Sequence, residues 1–176
     1  MPRNPVKQVE VGQIHYADML PDIGVEHFGC VWHLYTLGHL VQTDLDRVAR
    51  KIGLSFADLE FLGMLPIEPR QSPRATDIAS SLYVSHAAVS SRVARLVKAG
   101  LIAREPAGDD RRAHVLSVTP RGRELLRRAL DMIAREANIV RFFGRLTPED
   151  RQAFTRILGL LHEDYDRLFV GAVRQE

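Results

Sequence analysis

Apolar residues recur every three or four positions along most of the chain, the spacing that places them on one face of a helix. The pattern predicts helices over residues 26–50, 55–65, 73–82, 86–99, 120–140 and 147–168. The helix over 26–50 carries two apolar stripes, one beginning at Leu34 and the other at Phe28. A helix that is apolar on two sides must be covered on both, so we expect this helix to lie in a subunit interface.

Capping and turn residues set the limits of these helices. Ser55, Ser85 and Thr147 stand where N-caps are expected, and Ser72–Pro73 has the form of an N-cap followed by a first helical residue. Gly53 and Gly100 are predicted stops for the helices before them. The N-terminal residues 1–25 contain three prolines and show no periodicity, so we expect an arm that is ordered only where something packs on it.

Two short segments, 101–105 and 113–118, alternate as strands do, and a basic, turn-rich stretch separates them. A short helix, a turn, a second helix and a hairpin in this order are typical of a winged helix-turn-helix. The fold class that we predict is mostly α, with a small β-hairpin wing. We expect one compact domain in which residues 54–119 form the winged helix-turn-helix and residues 26–53 and 120–176 form a helical dimerisation region.

Composition narrows the class of protein. Of the 176 residues, 45% are hydrophobic and 26% are charged, which are ordinary values for a globular chain. A single cysteine excludes an intramolecular disulfide framework. We find no apolar run long enough for a signal peptide or a membrane span, and therefore expect a cytoplasmic protein with no membrane partner.

The distribution of charge is more informative than the net charge of +2. Residues 85–128 contain ten basic and four acidic side chains, whereas the rest of the chain has four more acidic than basic residues. A basic middle segment favours a polyanionic partner. For a winged helix, we expect that partner to be duplex DNA.

The N-terminal half of the helix over 86–99 is the end that enters a major groove in such units. Its short side chains allow close approach to base edges, where Ser and His can exchange hydrogen bonds. We expect Arg92 to reach a guanine edge or a phosphate, Arg95 and Lys98 to reach phosphates, and the hairpin tip to enter the minor groove. The predicted DNA-binding residues are Ser85, His86, Ala87, Ala88, Ser90, Ser91, Arg92, Arg95, Lys98, Asp110, Arg111 and Arg112.

Several motifs match a known family. They are Leu54–Ser55, Asp77–Leu82, Val84–Ser85, Ala88–Ser90, Arg95–Arg104, Asp110–Ala113 and Leu116–Gly122. The most specific is the Asp-x-Arg of Asp110–Arg112, followed by Leu116-x-x-Thr119-x-x-Gly122. On these motifs, residues 54–122 resemble the MarR family of bacterial transcriptional regulators.

The resemblance implies a homodimer that binds double-stranded DNA, and we expect a repressor on a pseudo-palindromic operator. It also implies a wing pair in which Asp110 anchors a basic side chain and Arg112 approaches DNA. The sequence departs from the family pattern at three points: Asp58 stands where Gln is common, Ser91 stands where Arg is common, and the turn Leu82–Val84 lacks the usual Gly.

The resemblance further implies a small aromatic effector, phenolic or carboxylic, bound between the dimer helices and the winged helix. Aromatic walls with a few polar groups suit such a ligand, and His33 or His39 can donate to its carboxylate. The candidate residues are Trp32, His33, Tyr35, Thr36, His39, Phe56 and Phe61. For each of them, a place in the core or in an interface is an equally good interpretation.

Three alternatives stay open. Cys30 lies where one branch of the family senses organic peroxides, and His27 and His33 are near enough to favour its thiolate. The winged helix is alternatively a protein-interaction module without sequence-specific DNA binding. A metal site from the same His and Cys residues fits poorly because their spacing drifts around the helix. We find no phosphate loop, nucleophile elbow or carboxylate pair, and expect neither an enzyme nor a cofactor.

Overall fold

The computed structural model describes residues 4–67, 73–107 and 110–173 of the chain. The elements in chain order are α1 (Pro5–Met19), α2 (Phe28–Arg50), α3 (Phe56–Met64), α4 (Ala75–Ser81), α5 (His86–Lys98), β1 (Ile102–Ala107), β2 (Asp110–Val118), α6 (Pro120–Glu136), α7 (Asn138–Arg145) and α8 (Pro148–Val173). The predicted fold class, mostly α with a two-stranded antiparallel hairpin, is confirmed. Contacts between residues divide the chain into an N-terminal unit, Met1–Asp44, and a C-terminal unit, Leu45–Glu176.

The N-terminal unit contains a helix that the sequence did not predict. Helix α1 begins after Asn4, whose side chain accepts a hydrogen bond from the Lys7 amide at 3.1 Å. Val9 is buried, and Gly29 of α2 lets the two helices approach, since a Cβ there would lie 3.2 Å from Val9 Cγ1. Packing on α2 thus stabilises a segment whose own apolar pattern is weak.

The core of the C-terminal unit joins α3, α4, α5 and the hairpin. Its fully buried side chains include Phe61, Leu62, Ile78, Val89 and Leu96. Each contributes about 1.5–3 kcal/mol through burial. Ala79 is buried in the same cluster. The strands pair from Ile102 opposite Val118 to Pro106 opposite His114.

The predicted caps are largely confirmed. Ser55 Oγ accepts from the Asp58 amide at 3.1 Å, and Ser85 Oγ accepts from the Ala88 amide at 3.3 Å. Gly53 and Gly100 have φ values of 78° and 69°, in the left-handed region that glycine tolerates. The predicted cap Ser72 lies outside the described residues, and α4 starts one position after its N-cap, Arg74.

One predicted helix is two. The helix expected over 120–140 ends at Glu136, because Ala137 is extended (φ −70°, ψ 130°) and completely buried. Helix α7 then starts at Asn138. The apolar spacing stays in phase across this break, so periodicity alone does not reveal it. Within the described residues, no helix combines the length and the apolar character needed to cross a membrane.

Candidate nucleic-acid interface

Helix α5 presents one buried and one exposed face. The apolar spacing in the sequence predicts a buried stripe of Val89, Val93, Leu96 and Val97. Val89, Val93 and Leu96 are buried against the core, whereas Val97 is 41% exposed. The predicted DNA-binding residues His86, Ala87, Ser90, Ser91 and Lys98 are all exposed. Ser85 differs from them in that its hydroxyl caps the helix. The start of α5 therefore offers short and polar side chains to a partner.

Arg95 is held by an acidic residue of α3. Its Nη2 donates to Asp58 Oδ1 at 2.7 Å and its Nε donates to Asp58 Oδ2 at 3.2 Å. Its Nη1 also donates to Ser91 Oγ at 2.7 Å. The bond to Asp58 raises the pKa of the Arg95 guanidinium. The sequence predicted a phosphate contact for Arg95. Its side chain is 53% exposed, and the bonds to Asp58 and Ser91 fix its orientation.

The prediction that Arg92 faces outward is wrong. Only 13% of its side chain is exposed, and Nη1 lies 3.6 Å from Glu60 Oε2 of α3, without a hydrogen-bond partner. Burial raises the pKa of the Glu60 carboxyl, and the charge of Arg92 opposes that rise. Position 92 follows Val89 by three residues and precedes Leu96 by four, which puts it on the buried stripe. Ala88, also predicted to face DNA, is half-buried.

A cationic groove of about 530 Å³ lies between α4, α5 and the hairpin, and sequence reasoning missed it. Arg74 and Arg104 line it with Ser90, Val97 and His114. Arg104 Nη2 is 3.3 Å from His114 Nδ1. The signal available in the sequence was the predicted hairpin, which puts Arg104 and His114 on paired strands. In the structure, Arg104 lies opposite Leu116, and His114 lies two residues before Leu116. Positive charge therefore extends from α5 to the wing.

The wing residues begin β2. Asp110 pairs with Ala107 at the start of the strand. The side chains of Asp110, Arg111 and Arg112 lie outside the described part of the structure, and their DNA contacts stay predictions.

The predicted effector residues are dispersed. Trp32 lines a groove between α1 and α2, while Tyr35 is 77% exposed on the same helix. His33 and Thr36 are half-buried and His39 is exposed. In the C-terminal unit, Phe56 packs against the cluster of Leu59 and Ala129. Phe61 is completely buried in the core, where it cannot line an open pocket in this conformation.

The residues considered for redox and metal chemistry lie on α2 or just before it. Cys30 is a free, exposed cysteine near the start of the helix. Among the described residues, no three His, Cys, Asp or Glu side chains come together as a metal ion would need.

Comparison with known proteins shows what this chain is similar to. The model of the MarR family matches residues 52–113. Over these residues, which include the helix-turn-helix, the chain is similar to the MarR family. This confirms the resemblance found in the sequence. Over 130 residues, the chain is 28% identical to the HTH-type transcriptional regulator PecS of Dickeya dadantii (strain 3937), covering 71% of this chain and 77% of that protein.

One further relative and two solved structures are similar to this chain. The HTH-type transcriptional repressor Rv2887 of Mycobacterium tuberculosis (strain ATCC 25618 / H37Rv) is 28% identical over 131 residues, 74% of this chain and 91% of that protein. Sco3205, a MarR family transcriptional regulator from Streptomyces coelicolor solved in complex with DNA, is 29% identical with a TM-score of 0.63, covering 77% of this chain and 85% of that one. The repressor CouR bound to a 23-mer DNA duplex shares the fold, with a TM-score of 0.68 at 23% identity over 80% of this chain and 99% of that one. These relatives are named as regulators of transcription and not as enzymes.

Proposed function

We propose that this protein is a transcriptional repressor that binds a pseudo-palindromic operator as a homodimer and is released by a small aromatic effector. The observation that carries the proposal is the exposed polar start of α5 beside a cationic groove shared with the hairpin. The solved relative Sco3205, which binds DNA, supports this interpretation.

The surface suits the shape and charge of duplex DNA. Ala87 and Ser90 are short, so the backbone of α5 can approach base edges closely, and His86 and Ser90 can exchange hydrogen bonds there. Arg74 and Arg104 lie beside them, where guanidinium groups can neutralise phosphates. Base contacts from α5 would then specify the sequence while the groove fixes the register.

Exposed apolar side chains on two helices support a homodimer. Leu37 and Leu40 of α2 and Ile157, Leu160 and Leu168 of α8 are each more than half exposed. Large apolar side chains exposed in this number mark an interface. In a dimer with a two-fold axis, the same residues are buried on both copies. Such a dimer presents two α5 helices to half-sites about 34–36 Å apart, one turn of DNA.

The groove between α1 and α2 is our candidate for the effector. Its volume is about 680 Å³. Three aromatic rings line it, those of Tyr16, Phe28 and Trp32. The ring centroids of Tyr16 and Phe28 are 4.8 Å apart, and the stacked rings of Phe28 and Trp32 are 6.2 Å apart. Lys7 and His15 also line the groove, and an ammonium group there can pair with a carboxylate. A ligand bound here releases DNA only if it binds the two states of the dimer with different affinity.

The test of DNA binding is selection of preferred duplexes from a random pool by the purified protein. We expect a two-fold symmetric site whose affinity falls steeply between about 50 and 200 mM salt. Arg111→Ala and Arg112→Ala should each weaken binding and lower the salt slope by about one. Arg127→Ala is the matched control, because it removes an equal charge that pairs with Glu124 on α6. No preference for any duplex would refute the proposal and favour a protein-interaction module.

The effector is tested separately. Trp32 is the single tryptophan, so its fluorescence reports ligands in the groove directly. Titration with benzoates and phenols should quench this fluorescence and release the selected duplex. Cys30→Ser should keep the response, whereas its loss in that variant would favour peroxide sensing.

A further inference from the structure

Tyr83 lies in the turn that joins α4 to α5, and its backbone is unusual. Among the described residues other than glycine, Tyr83 alone has a positive φ, at 53°. A residue with a Cβ is strained in this region, and the strain is greater for a bulky residue than for Asn. Glycine, which has no Cβ, avoids this strain. Hydrogen bonds from the Tyr83 amide to Ser80 O at 3.3 Å and from the Val84 amide to Ala79 O at 3.1 Å hold the turn in this form.

The side chain of Tyr83 reaches α8. Its hydroxyl donates to Asp166 Oδ1 at 2.7 Å and lies 3.1 Å from His162 Nε2. A phenol has one hydrogen, and Asp166 takes it, so the bond with His162 requires an N–H at Nε2 that donates to the phenolic oxygen. The two rings also meet edge to face, with centroids 6.0 Å apart. The bond to Asp166 raises the pKa of the Tyr83 phenol, as expected for a hydroxyl that donates to a carboxylate.

These contacts do not belong to the core. Tyr83 is 51% exposed, and it is not among the residues that fill the cluster beneath the turn. A glycine would relax the backbone here but would have no side chain to reach α8. Strain at a residue that contributes little to packing points to a role for its side chain.

We propose that Tyr83 is a positioning residue whose hydroxyl joins the helix-turn-helix to α8, so that the direction in which α5 meets DNA follows α8. The N-cap of α5, Ser85, comes two residues after Tyr83, and a displacement of the turn therefore tilts α5 directly. Helix α8 carries exposed apolar residues that we assign to the dimer interface, and the link connects that interface to the reading helix. The inference rests on the proposed function, because its consequence is measured on DNA.

The experiment is a double-mutant cycle on affinity for the selected duplex. Tyr83→Phe removes the hydroxyl alone, and Asp166→Ala removes its acceptor. Each should weaken binding by about fivefold, a typical effect of one hydrogen bond, and the double variant should be no weaker than either single variant. Each should also narrow the difference in affinity between the selected duplex and one with a base pair inserted between its half-sites. Additive losses, or an unchanged Tyr83→Phe, would overturn the inference.

Two further measurements separate positioning from folding and from the proposed function. Tyr83→Gly relieves the backbone strain while losing the link, so it should unfold at no lower temperature than the wild type and still bind the duplex as weakly as Tyr83→Phe. Hydrogen exchange of the Val84 amide, measured without DNA, should be faster in Asp166→Ala, and equal exchange rates would show that the link does not hold the turn. If the wild type selects no duplex, the proposed function fails, and this exchange experiment still decides whether the link exists.

Discussion

Asp58 and Arg95 form a two-point ion pair that joins α3 to α5, with oxygen–nitrogen distances of 2.7 and 3.2 Å. The third contact of the same guanidinium is Ser91. Asp58 and Ser91 are two of the positions at which this sequence departs from the family pattern, and the structure shows that the two departures meet at one side chain. The orientation of α5 on α3 therefore depends on a pairing particular to this combination of residues.

Asp58→Ala should lower both stability and DNA affinity. The carboxylate is buried but Arg95 is half exposed, so we discount the pair for solvent screening and expect a loss of about 1 kcal/mol in the free energy of unfolding. Urea unfolding measures this loss, and titration with the selected duplex measures the looser presentation of α5. The control is Glu124→Ala, which breaks the exposed pair with Arg127 and should leave both quantities unchanged. Equal effects of the two variants would contradict the role of Asp58.

The sequence predicted the winged helix well because its signals are local. Ser55 and Ser85 cap helices through their own side chains, and Gly53 and Gly100 adopt the backbone form that stops them. These interactions span a few residues, so they are visible in the order of the amino acids. The core face of α5 followed from its periodicity in the same way, with Val97 as the exception.

The features that the sequence did not predict depend on packing between distant segments. Arg92 was expected on the outward face of its helix, but its partner is Glu60, which lies 32 positions earlier on another helix. Helix α1 buries Val9 close to Gly29 of α2, 20 positions later in the chain. Ala137 breaks a helix where the chain is completely buried. Tertiary contacts decide all three, and no short pattern encodes them.

Lys98 and Arg92 should behave differently although both are basic residues of α5. Lys98 is exposed, so Lys98→Ala should weaken binding to all duplexes and lower the salt slope by about one. Arg92→Met keeps the volume of a largely buried side chain while leaving Glu60 without its cation. It should lower the free energy of unfolding by about 1 kcal/mol and leave the salt slope unchanged. A reduced slope in Arg92→Met would return Arg92 to the DNA interface.

Gly122→Ala should be strongly destabilising. A Cβ at this position would lie 2.0 Å from the Leu101 carbonyl oxygen and 2.9 Å from Val118 Cγ1, and the first of these atoms is backbone that cannot swing away. We expect a loss of about 1–3 kcal/mol, or more, in urea unfolding. Gly144→Ala is the control, since its Cβ would meet nothing within 4 Å and a helical alanine is favoured over glycine. Similar unfolding midpoints for the two variants would contradict the packing of α6 on the hairpin.

Asp46 should make stability depend on pH in the acid range. Its carboxylate accepts from the Phe56 amide at 2.9 Å and from Arg50 Nε at 2.6 Å, and these bonds, the backbone bond first, lower its pKa. A carboxyl whose pKa is lower in the folded state binds more protons when unfolded. Its contribution is therefore complete above the ordinary pKa of about 3.9 and is lost as pH falls through the lower folded-state value.

Asp46→Asn measures this contribution. The variant should unfold at a lower temperature than the wild type near neutral pH, and the gap between the two should close as pH falls below about 4. A gap that stays constant down to pH 2 would mean that the carboxylate charge has no part in joining α2 to α3.

The dimer interface is tested by placing charge on α8. Ile157 and Leu160 are 55% and 54% exposed and lie three residues apart, so they share one helix face. If a second copy covers that face, Ile157→Glu/Leu160→Glu buries two like charges against their symmetry mates, and the protein should become a monomer by light scattering. DNA affinity should then fall steeply, because a monomer binds DNA with one α5 helix. The gain in affinity that a dimer obtains by binding two half-sites simultaneously is lost. Gln152→Glu/Thr155→Glu adds the same charge with the same spacing on exposed polar positions and should remain dimeric. A dimer that persists in both variants would place the interface away from this face of α8.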